Sequence, residues 1–438
     1  MRALLAFAGS RGDAQPGVLL GRELARRGHE VTVAVSPNLV EFAARHGVSA
    51  VPFGLDSGEL LRAQRDDERF RGLNPVRRVQ AVLDLQRRGF GTAAGDLLAL
   101  AGDLGLARDK GVLVTGMACE EVAAEVARHH AIPLAALHFF PIRPNRVVPV
   151  VPAGLASRLP GELHRLGWHA LTKARAWALA SEITAFRRAN GSGPHDTDVP
   201  LVSYTAVQAY DPDLFPGLVD ELRDEPFTGF PVPAAGGELD PELAAWLTEG
   251  PAPVYAGFGS MPVADPIATE SMAREVCRRL GRRLLLVGPM FRPRIGLDLA
   301  VVDQVDHGAV LPLCTAAVHH GGAGTTAAAL RAGVPSVICS VQADQPYWGR
   351  QLEQLGLGVT VPFAGLTANR LERSLIRATA PEVVAWAAAY GAGFRDDGVA
   401  RAADVIESFS ATGESANRES IAPDTGVREL PSTIGGVR

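Results

Sequence analysis

Short runs of continuously apolar residues alternate with segments of helical spacing along both halves of this chain, and few folds accept that pattern. Ala3 to Ala8 is the first run, and Val18 to Arg27 follows with helical spacing and a stop at Gly28. Glu30 to Val35 reads as a second strand, Pro37 to His46 as a second helix and Val48 to Phe53 as a third strand. Gly111 to Thr115, Glu120 to His130 and Ile132 to Leu137 repeat the alternation. A strand that is apolar throughout is buried on both faces, which happens when helices cover both sides of a parallel sheet. The pattern therefore predicts an α/β fold of βαβ units.

The alternation stops and then restarts. Phe230 to Gly237 is rich in Pro and Gly and precedes a short helix around Pro241 to Leu247, so it reads as an interdomain linker. Strands are expected again at Val254 to Phe258, Leu284 to Val287, Ala300 to Val302, Ala316 to His319 and Ser336 to Cys339. Within the first half, Leu55 to Arg88 reads as an irregular insertion that shapes a cleft, and Glu162 to Arg188 as one long helix. Beyond Thr412 apolar periodicity is lost, and a disordered tail is expected. Two α/β halves of similar size imply a cleft between them, with ligands bound beyond the C-terminal ends of the strands.

Composition narrows the function classes. The 438 residues are 47% hydrophobic and 21% charged, and carry a net charge of -5, which gives no electrostatic reason to expect nucleic acid or an anionic membrane as partner. Cys119, Cys277, Cys314 and Cys339 lie far apart without metal-ligand spacing, and read as reduced core thiols. No export signal is recognisable after Met1, and no segment is apolar for long enough to span a bilayer, so the expected location is the cytoplasm.

Four turns carry chemistry. His319-His320-Gly321-Gly322-Ala323-Gly324-Thr325-Thr326 follows a strand and opens a helical stretch, Ala327 to Ala332; its small residues and the helix N-terminus suit a phosphate. Gly257-Phe258-Gly259-Ser260 offers main-chain donors and a hydroxyl after another strand. Asp344-Gln345-Pro346 lies 24 positions after His320, one helix and one strand later, and pairs groups suited to sugar hydroxyls. After the first strand, Gly9-Ser10-Arg11-Gly12-Asp13 lacks the G-x-G-x-x-G spacing of a dinucleotide site, which argues against a nicotinamide-dependent dehydrogenase. Asp13 there is either a reactive carboxylate or a helix N-cap ahead of Pro16, and spacing alone leaves both open.

In chain order, Gly9 to Asp13, Gly257 to Ser260, His319 to Thr326 and Asp344-Gln345 together resemble the family-one, nucleotide-sugar-dependent glycosyltransferases of the GT-B fold. The likeness is to the actinobacterial branch that glycosylates glycopeptide antibiotics and mycobacterial glycopeptidolipids, with sterol glucosyltransferases further off, and covers roughly residues 1 to 410. It implies two Rossmann-like doubly wound domains facing across a cleft: 1–232 for the acceptor and 233–395 for the nucleotide sugar. A helix over 396–411 would pack back on the first domain, with 412–438 as the tail.

By the same resemblance, His320, Gly322, Ala323, Gly324 and Thr325 hold the diphosphate, with Gly259 and Ser260 nearby. Asp344 and Gln345 hold the sugar hydroxyls, and Val305 falls near the nucleobase loop. Asp13 becomes the general base of an inverting displacement, His320 stabilises the leaving group, and neither a metal nor a further cofactor is expected. His138 and Phe139 are expected at the acceptor, with His138 an alternative base, whereas His129-His130 ends a helix and His319 packs. The expected partners are a UDP- or dTDP-sugar and a bulky, amphiphilic natural product or lipid; Arg143 and Arg146 beside apolar residues fit such a molecule. A sugar-nucleotide epimerase or hydrolase of the same architecture is the alternative. A non-enzymatic binder of nucleotide sugars fits less well with an intact set of Asp13, His320, Asp344 and Gln345.

Overall fold

A computed structural model describes residues 1–71, 75–152, 154–191, 201–234, 236–237, 239–259, 261, 263 and 265–412. The tail expected over 412–438 therefore lies outside the described residues beyond Thr412, and so does Ser260. The first domain runs β1 (Arg2–Phe7), α1 (Arg11–Arg26), β2 (Glu30–Val35), α2 (Val40–Arg45), β3 (Ala50–Pro52), α3 (Ser57–Asp66), α4 (Glu68–Arg71) and α5 (Pro75–Asp103). It continues with β4 (Val112–Gly116), α6 (Glu120–His130), β5 (Leu134–His138), α7 (Gly161–Ala178), α8 (Ala180–Ala189), β6 (Tyr204–Gln208) and α9 (Leu218–Glu221). The second domain runs α10 (Pro241–Thr248), β7 (Val254–Gly257), α11 (Pro266–Arg279), β8 (Leu284–Val287), β9 (Arg294–Ile295), β10 (Leu299–Val302) and α12 (His307–Val310). Then follow β11 (Ala316–His319), α13 (Ala323–Arg331), β12 (Ser336–Ser340), α14 (Gln345–Gln354), β13 (Gly358–Pro362), α15 (Ala368–Ala378), α16 (Pro381–Ala392) and α17 (Gly398–Thr412).

The sheets are ordered β3-β2-β1-β4-β5-β6 and β13-β12-β11-β7-β8-β10-β9. Every pairing is parallel except that of β9 with β10. Without the β9 edge the two orders are equivalent: each sheet grows outward one way from its first strand, then returns to the other side of that strand. The switch points fall between β1 and β4 and between β7 and β11, where neighbouring loops diverge and leave a crevice. Burial explains the apolar strands. Ala3, Leu5 and Phe7 enter one core and Leu4 and Ala6 the core on the opposite face of the sheet. In the second sheet, Leu284 and Leu286 part from Leu285 and Val287 in the same way.

Several expectations need correction. The segment 55–88 is helical through α3, α4 and the start of α5. Phe90, Ala94, Leu97 and Ala101 of α5 repeat at helical spacing and are buried, so the helix is fixed by residues beyond the segment. The helix expected from Val18 begins at Arg11, and that expected from Ala327 begins at Ala323, because small and polar first turns carry little apolar periodicity. The long helix over Glu162 to Arg188 divides at Leu179 into α7 and α8. Strands β6, β9 and β13 escaped the sequence reading; β6 carries Tyr204, Thr205 and Gln208 among its five residues, which masks its run.

The domains meet through an aromatic cluster. Trp348 of α14 is fully buried, with ring centres 5.4 Å from Phe215, 5.6 Å from Phe230, 6.2 Å from Phe140 and 6.4 Å from Tyr210. The chain crosses between the domains twice, at Phe230 and again before α17, and Gly398 abuts the Phe230 carbonyl so closely that a side chain there would overlap it. α17 packs on α1: Val405, Ile406 and Phe409 are fully buried in the first domain's core. Arg27 donates to Asp404 (2.6 Å), Glu407 (2.7 Å) and the Ala400 carbonyl (3.0 Å). Phe409→Ala is expected to destabilise the first domain by about 3–5 kcal/mol, measured as a lower denaturant midpoint; an unchanged midpoint would mean that α17 is an accessory.

Candidate active site

Both switch points open onto one region. After β1 the chain turns at Gly9 (φ 126°), a left-handed conformation suited to glycine, and a side chain there would come within 2.6 Å of the Asp13 carboxylate. Ser10 is the N-cap of α1, and Asp13 stands three residues in: its Oδ2 accepts from the Ser10 N–H and hydroxyl, both at 2.8 Å. Asp13 is therefore not the cap itself but the acidic partner of a capping box, and Oδ1 is left outside these two bonds. Burial raises its carboxyl above the usual value, while the bonds to Ser10 pull it back.

At the second switch point, His319 pairs with Gly257 across β11 and β7, so His320 emerges beside the Gly259 turn. The imidazole of His320 sits between two glycines: a Cβ on Gly259 would lie 2.9 Å from its Cε1, and one on Gly322 2.5 Å from its Nε2. Burial lowers His320 to about 4, the neighbouring His307 adds to this, and the Gly257 backbone acts in the opposite sense. His320 is thus neutral at pH 7. His319 is fully buried, its Nδ1 accepts from the Gly321 N–H (3.1 Å), and burial holds it well below its usual range, which fits the expected packing role. Gly322 caps α13, so the N–H groups of Ala323, Gly324 and Thr325 have no partner within the helix and no acidic side chain occupies its first turn.

Asp344 stands at the N-cap of α14, turned there by Ala343 in a left-handed conformation (φ 56°). Trp348 Nε1 donates to Asp344 Oδ2 at 2.9 Å. Burial raises Asp344 to about 6; Trp348 and the Ala323 N–H oppose the rise, and the charge of Asp13 adds to it. The charge of Asp13, from the first domain, therefore reaches Asp344, which stands at the N-terminus of α13. Ala323 itself packs against the first domain's core and against the interdomain cluster. Val305 lines a cavity of about 490 Å³ with Gln304, Asp306, Leu239 and Arg11. Arg11 reaches across the domains to Gln304 (3.1 Å) and lies over Phe42. The sequence reading passed over Arg11, although it stands inside the motif that carried Asp13.

Three expected site residues are placed otherwise. Gln345 is buried and turned into its own loop, accepting from the Val341 and Gln342 N–H groups (2.8 and 3.1 Å) and donating to Met261 Sδ (3.4 Å). His138 is fully buried and lines no wall: its Nε2 meets Glu120 (3.0 Å) and its Nδ1 meets Gln208 (3.3 Å). Burial opposes ionisation of Glu120, yet the bonds from His138 and Tyr204 hold it at about 2. Phe139 is core, its ring 6.4 Å from Phe7. A strand end beside a cleft looks the same in sequence as one beside a buried polar network. Among the described residues no three His, Cys, Asp or Glu side chains are grouped to hold a metal ion.

Known proteins are similar to this chain. Residues 294–401 match the family described as Erythromycin biosynthesis protein CIII-like, C-terminal domain. An uncharacterized glycosyltransferase of Mycobacterium tuberculosis is 37% identical over 394 residues, covering 88% of this chain and 92% of the relative. The vancomycin aglycone glucosyltransferase of Amycolatopsis orientalis is 32% identical over 416 residues, covering 93% and 97%. The chain belongs to the family-one GT-B glycosyltransferases of actinobacterial type. The fold agrees: the Streptomyces glycosyltransferase SsfS6, solved with thymidine diphosphate, superposes with a TM-score of 0.62 at 24% identity over 93% of this chain and 99% of that one.

In this glycosyltransferase the Asp344 carboxyl is held away from its solution behaviour, and that has a cost in stability. Its folded pKa of about 6 exceeds the ordinary 3.8, so its contribution is favourable below 3.8 and is lost as pH rises through 6. Asp344→Asn is therefore expected to stabilise the ligand-free glycosyltransferase at pH 7 by up to about 3 kcal/mol. The gain should vanish near pH 4 in thermal unfolding; an equal effect at both pH values would discount the carboxyl's ionisation.

Proposed function

We propose that the protein transfers a sugar from a UDP- or dTDP-sugar to a hydroxyl of a bulky natural-product or lipid acceptor, with inversion at the anomeric carbon. The observation that carries this reading is the convergence of Asp13 and Asp344, from opposite domains, at the N-terminus of α13. The N–H groups of Gly324 and Thr325, outside the bonds of the helix, and its positive end suit a diphosphate whose charge grows as the bond to the sugar breaks. The cavity at Val305 has room for a nucleoside, and Arg11 closes it from the first domain. The thymidine diphosphate in SsfS6 agrees with a nucleoside diphosphate in such a fold.

Asp344 accepts from the sugar hydroxyls, and Gln345 acts through the loop that it braces. Asp13 takes the proton of the acceptor hydroxyl as its oxygen attacks the anomeric carbon, and the diphosphate departs on the opposite side. Burial suits Asp13 to this task, because a raised pKa makes a carboxylate a stronger base. His320 is neutral without ligand, and the arriving diphosphate raises its pKa, so that the imidazole can donate to the leaving group. Helix and imidazole together supply the positive charge without a metal ion.

A panel of UDP- and dTDP-sugars, assayed by nucleoside diphosphate release with and without alcohols, tests the reading. Release is expected to require an acceptor and to persist in EDTA. Release without any alcohol would instead support the epimerase or hydrolase alternative. Asp13→Asn is expected to lower kcat by about 10²–10⁴-fold while donor binding remains; near-normal turnover would remove Asp13 from this role.

The two carboxylates also make a prediction about pH. Because the Asp13 charge helps to raise Asp344, Asp13→Asn is expected to move the acid limb of donor binding below its position near pH 6. Calorimetric titration across pH 4.5–7.5 would read this shift, and an unmoved limb would mean that the carboxylates do not share a site.

A further inference from the structure

The outer face of α7 carries an apolar stripe that the transferase reading does not use. Leu163, Leu166, Ala170, Ala174 and Trp177 recur at helical spacing along this helix and all are exposed. The large side chains are strongly so: Leu163 is 48% exposed, Leu166 63% and Trp177 78%. The opposite face is anchored, with His164 and Trp168 buried and Trp168 Nε1 donating to the Val148 carbonyl at 2.7 Å. The patch widens beside the helix through Leu159 (46% exposed) and Val151 (52% exposed). An apolar stripe of this kind on a fixed helix marks an interaction surface.

Charge identifies the occupant. Between Arg158 and Arg188 the sequence holds six arginines and lysines against Glu162 and Glu182, in a chain whose net charge is -5. His169 and Lys173 are exposed at the edge of the stripe, one turn apart, His169 one turn after Leu166 and Lys173 one turn before Trp177. Arg175 and Arg187 turn inward to Glu121 and Glu125, and Arg165 pairs with Glu162 along the helix (3.6 Å), which leaves Lys173 as the cation on the rim of the stripe. A two-fold contact between copies would bring like-charged rims together, since such an interface repeats the same patch on both sides. Anionic lipid headgroups complement the rim, while leucines and an indole enter the boundary beneath them.

We propose that α7 docks the protein on an anionic lipid bilayer, with Leu163, Leu166 and Trp177 in the headgroup boundary and His169 and Lys173 against the phosphates. The contact is peripheral, because no helix among the described residues is long and apolar enough to cross a membrane. It also aims the site. Val150 packs beside Gly167 of α7, and the same loop meets the second domain where Tyr347 donates to the Val150 carbonyl and Arg350 to the Pro152 carbonyl (2.6 Å). The docked face therefore leads along a fixed loop to the seam between domains. The inference stands on surface chemistry, independently of the transferase reading.

Co-sedimentation of the full chain with phosphatidylcholine vesicles, with and without phosphatidylglycerol, tests it. Binding is expected with the anionic vesicles, weakening as salt is raised, together with a blue shift in tryptophan emission. Trp177→Phe should keep the binding and lose the shift. Leu166→Glu with Trp177→Glu should weaken partitioning about tenfold or more, and Lys173→Glu should erase the preference for phosphatidylglycerol; these exposed positions leave the fold and soluble-substrate turnover unchanged. Anionic-vesicle binding no stronger than that of the double variant would overturn the proposal. So would light scattering that finds a dimer which Leu166→Glu converts to monomer.

Discussion

The Trp348 indole joins the two domains and the chemistry between them. Its ring fills the interdomain aromatic cluster, and its one polar atom donates to Asp344. A buried indole N–H needs an acceptor, and a buried carboxylate needs donors, so each group satisfies the other in a place where water does not. The carboxylate at the site is thus held by the same residue that fixes how the domains meet. Any repacking that shifts the ring also shifts Asp344.

Much of the fold was legible because burial on both sheet faces writes itself as unbroken apolar runs. β1 from Ala3, β8, and β11 up to Val318 are such runs, and α6 was bounded by the acidic pair Glu120 and Glu121 at one end and His129 and His130 at the other. Elements whose pattern depends on distant partners were not legible. The start of α5 becomes a helix through a face that lies further along the chain, and β6 gains its strand character by pairing with β5. Strand order brings β1 beside β4 and β7 beside β11, a relation no local stretch encodes.

The site was legible where small residues or a sharp turn force a function on the backbone, as at Gly9, Gly259 and Gly321. It was not legible where a polar residue can serve either a ligand or its neighbours. His138 and Gln345 have the side chains of binding residues, and both are consumed by internal hydrogen bonds. Asp13 shows that the alternatives need not exclude each other: one oxygen closes a capping box while the carboxylate still faces charge from the opposite domain. Around α13, burial keeps His307, His319 and His320 neutral and lifts Asp344.

The close approach of Gly398 to Phe230 governs how the molecule can move. A chain that passes between domains once leaves them on a tether; here the outgoing and returning segments touch, Gly398 against Phe230, with Arg401 reaching the Phe227 carbonyl alongside (3.1 Å). Two segments pinned together act as a pivot. Any rotation of the domains about that pivot would be largest at the rim where Arg11 meets Gln304, at the opposite end of α1 from Arg27, and smallest around Trp348, whose ring lies 5.6 Å from Phe230. An arriving nucleotide would be gripped by the part of the molecule that travels furthest.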